Sequence, residues 1–472
     1  MKGRNTDIIT EDVKFDGDKF LELKNNNEQF FIMNGRRKTY HILTYGCQMN
    51  EHDSEKISGM LTSIGYEETN DDKNADLVIF NTCLIRENAE LRVFGKLGEV
   101  KGLKRKAPDM LVAVCGCMMQ KQEIREKVLK KFSFVDIIFG TNTIHELPML
   151  IYNAEINKRK SVGIIDNTES IYENMPKQRK FKHKALVNIT YGCNNFCTYC
   201  VVPYVRGREK SREPNEIIQE IRALAEDGCK EVTLLGQNVN SYGSNSENKF
   251  TFAELLYEIN KIDGIERIRF MTSHPKDLTD DLIKAIKECD KVCKHVHLPV
   301  QAGSNDVLNR MNRKYTKEHY LNLVEKLKKA VPDIAITTDI IVGFPGETEE
   351  DFLETIDIVK KGQFDSAFTF LYSVRDGTKA ATMENQVPDD VKHERFDRLL
   401  DVLYPIVLYK NEQCIDKVFP VLVESAENGK LTGRTEHFRL VHFKGSSELI
   451  GEIVNVKITS VKTFHMEGEI VE

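Results

Sequence analysis

Polar and apolar positions follow two different rhythms along this chain. From Lys38 onward, short apolar runs at residues 40–46 (YHILTYG), 75–81 (ADLVIFN), 110–116 (MLVAVCG) and 135–141 (VDIIFGT) are separated by stretches with helical spacing, such as 52–65 and 120–132. Apolar runs of strand length alternating with helices predict a parallel sheet covered on both faces. A second series begins at Ala185, with strand candidates at 185–192, 231–240, 267–275, 295–303, 335–346 and 366–377. Helical stretches such as 213–228 and 317–330 lie between several of them, and six such βα units suit an open or partial barrel. From about Tyr404 the rhythm changes to short β-like runs without helices, at 419–425, 431–435, 440–445 and 453–461, which predicts a small β barrel.

The expected fold class is α/β. It comprises an N-terminal parallel α/β domain over 38–153, an open (βα)6 partial barrel over 184–403 and a C-terminal small β barrel over 404–472. Residues 1–37 are polar and are expected to form a partly disordered extension. Residues 154–183 carry neither rhythm and are expected to be a linker; their basic end, KQRKFKHK, reads as a solvated run or an RNA contact.

A length of 472 residues exceeds one ordinary core. The charge balance, 67 basic against 73 acidic residues, argues against a broad polyanion binder but permits a local basic face. The N-terminal stretch mixes charges and has no apolar core of signal-peptide length, and no run approaches membrane-span length. A cytoplasmic protein with no membrane partner is expected. In that reducing compartment the eleven cysteines read as metal ligands or reduced thiols.

Cys193, Cys197 and Cys200 form a C-x3-C-x2-C triplet just after a strand candidate. Three thiolates on one tight loop can hold three irons of a cubane cluster and leave the fourth iron open. A zinc site and plain core packing are the alternatives, although no second Cys/His pair follows at finger spacing. Cys47, Cys83 and Cys117 each follow a strand candidate of the first domain. Ligands of parallel sheets collect at that edge, so these three can converge on a second metal site, although each alone equally suits a small buried apolar position. Cys115 would share a strand face with Cys117 by alternation; Cys117, beyond Gly116, is the favoured ligand. Cys229, Cys289, Cys293 and Cys414 show no ligand-like grouping beyond the C-x3-C of Cys289 and Cys293.

The triplet, with the aromatic Tyr199 before its last cysteine, resembles the cluster loop of radical S-adenosylmethionine (SAM) enzymes. The stretches TYGCQMNEHDSE, NTCLIRENAE, GCMMQ, GCNNFCTYCVVPYVRGREKSR, LLGQNVNSYG, TSHP, HLPVQAGS, DIIVGFPGET and YSVRDGT are similar, in the same order, to those of the methylthiotransferase family. Ala302 and Val374 depart from that family's Ser and Pro without touching a proposed ligand. The resemblance implies an amino-terminal methylthiotransferase domain, a radical SAM barrel and a TRAM RNA-binding barrel. It also implies two [4Fe-4S] clusters, one on Cys47, Cys83 and Cys117 and one on Cys193, Cys197 and Cys200, so that these six residues are both metal-binding and catalytic. In the implied reaction one SAM methylates a sulfur at the first cluster. The second SAM is split at the other cluster into methionine and a 5′-deoxyadenosyl radical, which opens carbon 2 of the target adenine to the methylthio group.

Within the family, Gln48, Met49 and Asn50 resemble the branch acting on N(6)-dimethylallyladenosine beside the anticodon. Threonylcarbamoyladenosine and a ribosomal-protein aspartate are the alternative substrates, and a noncatalytic metal-containing RNA-binding protein is the alternative of another class. The implied partners are the tRNA anticodon arm, a small electron-donor protein such as flavodoxin or ferredoxin, and a sulfur donor that the sequence does not name; a monomer is expected. Tyr199 is expected near the SAM adenine, and Gln237 and Asn238 near its amino-acid moiety or the substrate; Ser273, Gln301 and the turn 343–346 also fall at strand ends. Ordinary loop capping is the other reading of these residues. Arg206, Arg208 and Arg212 are expected either to pair with Glu209 or Glu213 or to reach SAM or phosphate. Arg434, His437, Arg439, His442 and Lys444, interleaved with Phe438 and Phe443, suit RNA, although residues 416–472 hold nine acidic and seven basic residues, which also suits a solvated surface.

Overall fold

The computed structural model describes residues 8–9, 15–84, 87–165, 171–245 and 249–471. The chain divides into two units, residues 1–180 with 201–208, and residues 181–200 with 209–472.

Strict alternation organises the first unit. Leu77, Ile79, Leu111 and Ala113 point into one apolar cluster, whereas Val78, Phe80, Val112 and Val114 point into another. Such strands need cover on both faces. Helices Gln48–Ser63 and Leu147–Glu155 supply it on the side of Ile79, and Glu87–Lys106 and Gln122–Lys131 on the side of Val78. The sheet is parallel, in the order Ile8–Ile9, Lys160–Gly163, Ile137–Phe139, Leu111–Gly116, Leu77–Thr82, Lys38–Thr44, Tyr66–Glu68. Its order reverses at Lys38–Thr44, and a crevice opens at the carboxyl ends beside such a reversal.

Two expectations change here. The polar extension before Lys38 contains the helix Gly17–Asn34, capped by the Asp16 carboxylate on the amides of Asp18 (3.1 Å) and Lys19 (3.2 Å). Leu23 and Asn27 hold it to the sheet domain; Asn27 Nδ2 donates to Ile64 O at 2.8 Å. The expected linker 154–183 supplies the strand Lys160–Gly163 to the sheet, and Gln178 accepts from Thr62 Oγ1 at 2.7 Å. Residues 1–7, 10–14 and 166–170 lie outside the described residues.

In the second unit six parallel strands follow one another in chain order: Lys184–Asn188, Glu231–Leu235, Arg267–Phe270, His295–His297, Ala335–Val342 and Ser366–Leu371. They form two three-stranded sheets joined through the bridge Ile268–Val292, and among the described residues the first and last strands do not pair. This is the open (βα)6 partial barrel. Val232, Leu234, Ile268, Phe270, Val296 and Ile336 pack outward into the core under the helices. The opposite parity gives a lumen rich in polar groups, including Thr233, Arg269, His297 and Thr337.

The helix Asp389–Glu412 runs through the expected boundary at residues 403–404 and leads into a closed five-stranded barrel: Val418–Glu427, Lys430–Thr435, Leu440–Lys444, Met466–Ile470 and Ile453–Val461. Val421, Val423, Leu431, Val441, Phe443 and Ile458 fill it. This barrel docks on the amino-terminal ends of the six strands. Arg267 donates to Pro420 O (2.7 Å) and Arg434 O (2.9 Å), and Arg269 donates to Thr435 O (2.6 Å) and Glu436 O (3.0 Å). Phe438 stacks on His295 with ring centroids 5.0 Å apart, flanked by the Arg269 and Arg434 guanidinium groups.

The cation–aromatic set expected to face RNA is therefore largely used in docking. Arg439 pairs with Asp365 at 2.5 Å and bonds Asn411, His437 lies 3.4 Å from Asp333, and Phe443 is inside the barrel. His442, bonded to Thr432 at 2.9 Å, and the exposed Lys444 lie outside that joint.

Candidate active site

In the first unit Cys47, Cys83 and Cys117 follow three strands that are neighbours in the sheet, Lys38–Thr44, Leu77–Thr82 and Leu111–Gly116. Two glycines allow the approach. Gly46 (φ +152°) lies so close to its neighbours that a Cβ would stand 2.3 Å from Asn50 Oδ1 and 2.9 Å from Cys83 Cβ. Gly116 (φ +95°) would bring a Cβ 2.3 Å from Thr82 O. A left-handed turn at Gly116 also ends the alternation between Cys115 and Cys117. Cys115 joins the apolar cluster beneath helix Gln48–Ser63, while Cys117 opens the turn Cys117–Gln120.

Asn50, fully buried, stitches these loops together. Its Oδ1 accepts from Cys47 N at 3.3 Å, and its Nδ2 donates to Asn81 Oδ1 and Thr82 O, both at 3.2 Å. Asn81 replies through Nδ2 to Asn50 O at 2.8 Å. Burial pushes the Cys117 thiol up to about 11; Arg206 opposes this, and the negative charge of Cys83, Asp53 and Cys47 adds to it. Arg206 Nε lies 3.2 Å from Cys117 Sγ, and Arg206 Nη2 pairs with Asp53 at 2.7 Å. Both members of that ion pair are buried. A buried guanidinium beside a thiol favours the thiolate that an iron ligand needs.

In the second unit the triplet sits on the loop after Lys184–Asn188, with Cys193 and Cys197 buried and Cys200 half-buried. Burial pushes the Cys193 thiol up to about 11. The loop is held from the opposite side of the barrel mouth. Asn312 Nδ2 donates to Asn195 O (3.2 Å) and Phe196 O (3.0 Å), Thr198 N donates to Met311 O (3.0 Å), and Arg313 Nη1 lies 3.4 Å from Cys197 Sγ. Arg313 is itself fixed by Pro299 O at 2.9 Å and Tyr315 Oη at 2.9 Å. Tyr199 lies edge-on to Phe344, ring centroids 6.5 Å apart, beside the turn 343–346.

Several of the polar atoms expected at the strand ends have no hydrogen-bond partner among the described residues. Both polar atoms of the Gln237 and Asn188 side chains, Asn238 Oδ1, Ser273 Oγ and Thr190 Oγ1 are buried with no hydrogen bond among the described residues. Burying such groups unpaired is costly, which argues for a polar occupant rather than loop capping. Asn238 Nδ2 does cap locally, onto Asp277 at 2.7 Å. Gln301 has φ +73° yet is bridged to Ile340, a strained backbone held at a strand end.

The orphaned polar set fits SAM. The two thiol triads fit iron–sulfur clusters by donor chemistry; among the described residues no three His, Cys, Asp or Glu groups gather round one ion-sized point, and a cubane, which spreads its thiolates over separate irons, does not need that. The arginine expectations resolve differently: Arg206 pairs with Asp53, and Arg212 with Glu220 at 2.7 Å and Asn188 O at 2.7 Å. Asn50, Asn81, Asp53, Asn312 and Arg313 went unnoticed as supports of the cysteines. Asn81 and Asn50 carry one sequence signal, adjacency, since Asn81 precedes Cys83 by two positions and Asn50 follows Cys47 by three; Asp53, Asn312 and Arg313 carry none.

Comparison with known proteins agrees with this arrangement. Residues 39–140 match Uncharacterized protein family UPF0004, residues 187–359 the Radical SAM superfamily and residues 412–471 the TRAM domain. A tRNA-2-methylthio-N(6)-dimethylallyladenosine synthase of Caldicellulosiruptor saccharolyticus is 55% identical over 452 residues, covering 95% of this chain and 96% of the relative. Relatives of the same name from Clostridium tetani (56% identical, 92% of this chain and 96% of the relative) and Alkaliphilus oremlandii (53%, 98% of each) are similar over comparable lengths. Among solved structures, the radical S-adenosylmethionine methyltransferase TsrM from Kitasatospora setae, with cobalamin and a [4Fe-4S] cluster bound, shares the fold at 14% identity, with a TM-score of 0.54 over 84% of this chain and 80% of that one. Among the described residues no helix is long and apolar enough to cross a membrane. The chain belongs to the methylthiotransferase family of radical SAM proteins, of the tRNA-2-methylthio-N(6)-dimethylallyladenosine synthase type.

Proposed function

We propose that this protein adds a methylthio group to carbon 2 of N(6)-dimethylallyladenosine in tRNA. The observation that carries the reading is identity of 55% over nearly the whole chain to relatives named for that product. It is a radical SAM transferase that uses SAM and two [4Fe-4S] clusters. When bound, these groups supply an organic radical to activate an unreactive C–H bond and a sulfur to replace the hydrogen.

The chain's own residues bind, orient and shield. In our reading Cys193, Cys197 and Cys200 hold the cluster that takes SAM, and Cys47, Cys83 and Cys117 hold the other. Gln237, Asn238, Ser273 and Gln301 receive the polar parts of SAM, and Tyr199 lies near its adenine. For Gln237, Asn238 and Ser273 the unpaired buried atoms support this. Arg313 orients Cys197, and Arg206 with Asp53 orients Cys117 and sets the charge around it. The TRAM barrel and the tRNA name of the relatives support tRNA as partner. We take the anticodon arm as the part recognised, a small protein such as flavodoxin or ferredoxin as electron donor, and a monomer in the cytoplasm as the working form.

Nucleoside analysis of tRNA from cells lacking this protein tests the function. Dimethylallyladenosine without its methylthio group should accumulate, and the intact chain should restore the product. Unchanged 2-methylthio content in the deleted strain would refute the reading.

A further inference from the structure

The barrel lumen changes character at its last strand. Lumen-facing positions on the inner strands are mainly polar: Thr233, Arg269, His297, Thr337 and Asp339. Ser366–Leu371 pairs in register with Ala335–Val342, placing Phe368 beside Asp339 and Phe370 beside Ile341. Asp339 faces the lumen, where its carboxylate lies 3.4 Å from His297 Nε2. Phe368 shares that side, its ring edge-on to His297 with centroids 5.9 Å apart, and Phe370 follows by alternation. The opposite face of this strand, at Ala367, packs on the core. Phe368 and Phe370 are 51% and 50% exposed, so two large rings present bare apolar surface to the site. Isolated exposed apolar residues are common, but a paired apolar face inside a polar cavity marks a place for an apolar group.

We propose that Phe368 and Phe370 form the wall that receives the dimethylallyl arm of the target adenosine. This rests on the function proposed above. The arm is a five-carbon branched hydrocarbon without donor or acceptor, and the arginine and histidine positions of the lumen offer it nothing. The wall also stands at the right level. Ile341, beside Phe370, donates its N–H to Gln301 O at 2.8 Å, so the wall ends where the polar strand-end residues begin. On the purine, carbon 2 and carbon 6, which bears N6, flank N1 on either side, so holding the N6 substituent fixes the direction in which carbon 2 points. Phe368 and Phe370 thus act as specificity residues for the arm. They disfavour both the unprenylated base, which leaves the rings bare, and a polar or charged N6 substituent, which would be desolvated against them.

The test compares two anticodon stem-loop RNAs, identical except for the dimethylallyl group, as substrates of the reconstituted holoprotein. The readout is the ratio of kcat/KM for the prenylated over the unprenylated RNA, in wild type, Phe368→Ala, Phe370→Ala and Phe370→Leu. Both rings are half exposed, so the fold should tolerate these changes, and the ratio cancels losses common to both substrates. Wild type should prefer the prenylated RNA, each Ala variant should lower the ratio by about tenfold or more, and Phe370→Leu should keep most of it. A ratio unchanged in both Ala variants, or equal losses on both RNAs, would overturn the wall. No methylthio product from wild type on prenylated RNA would instead refute the underlying function, and the wall with it.

Discussion

Replacing Asn50 with leucine should empty one cluster site and leave the other intact. Leucine keeps the branching and the heavy-atom count of asparagine and carries no donor or acceptor, so the change removes the side chain's hydrogen bonding. Three groups lose their partner: the half-buried Cys47 N (3.3 Å) and the buried Asn81 Oδ1 (3.2 Å) and Thr82 O (3.2 Å). Stranding a buried polar group costs about 1–3 kcal/mol, so the three together amount to roughly 3–9 kcal/mol if nothing relaxes. The loops at Cys47 and Cys83 will relax, because they run so close that a Cβ on Gly46 would stand 2.9 Å from Cys83 Cβ, and Asn50 bonds to both of them. Relaxation trades the energetic cost for lost cysteine geometry. Anaerobic reconstitution followed by iron and acid-labile sulfide analysis reads this directly. Wild type should take up about eight irons per chain and Asn50→Leu about four, because each cubane carries four. SAM cleavage under reductant should persist, since the Cys193, Cys197 and Cys200 loop is held by Asn312 and Arg313 instead. Retention of about eight irons by Asn50→Leu would refute the role of this asparagine, as would equal loss from both sites.

Other expectations follow from the same geometry. Cys197→Ala should abolish SAM cleavage, while Cys83→Ala should retain cleavage and stop sulfur insertion; 5′-deoxyadenosine and methylthio product assayed side by side distinguish the two. Burial pushes Glu55 up to about 7 from 4.5, so the folded state holds a proton that the unfolded chain releases, and stability should fall as pH rises from about 4.5 to 7 and then level off. Glu55→Gln should remove up to about 3 kcal/mol of that loss, seen as urea midpoints that converge between pH 5 and pH 8. Arg439→Ala should loosen the small barrel, exposing the helix Asp389–Glu412 to protease, because Arg439 ties Asp365 to Asn411. Lys444→Ala, on the exposed surface, should instead weaken tRNA binding and lower its salt slope by about 1.

What the sequence reveals here depends on how local the causes are. The sheet strands and the cysteines after them are legible because strand burial has a period of two and parallel sheets gather ligands at one edge. Cys115 and Cys117 come to lie in different surroundings because of Gly116, whose left-handed turn separates them. The helix Gly17–Asn34 is hidden because only Leu23 and Asn27 of its eighteen residues are buried, too few to print a helical stripe on a polar segment. The segment 434–444 misleads for the opposite reason. Its cations and aromatics look like an RNA surface, but Arg269, Asp333 and Asp365, which hold them, lie far away in the chain and have no local signature. Arg206 is the same case, its partner Asp53 lying 153 positions earlier. Phe368 and Phe370 read as ordinary core strand residues until the edge position of their strand exposes them.

The most direct test of the whole account is nucleoside mass spectrometry of tRNA carrying dimethylallyladenosine, incubated without oxygen with reconstituted protein, SAM, sulfide and reductant. The expected result is a nucleoside heavier by one methylthio group in place of hydrogen, formed by wild type and absent with Cys83→Ala. No such nucleoside, despite intact clusters and SAM cleavage, would contradict the assignment of reaction and substrate together.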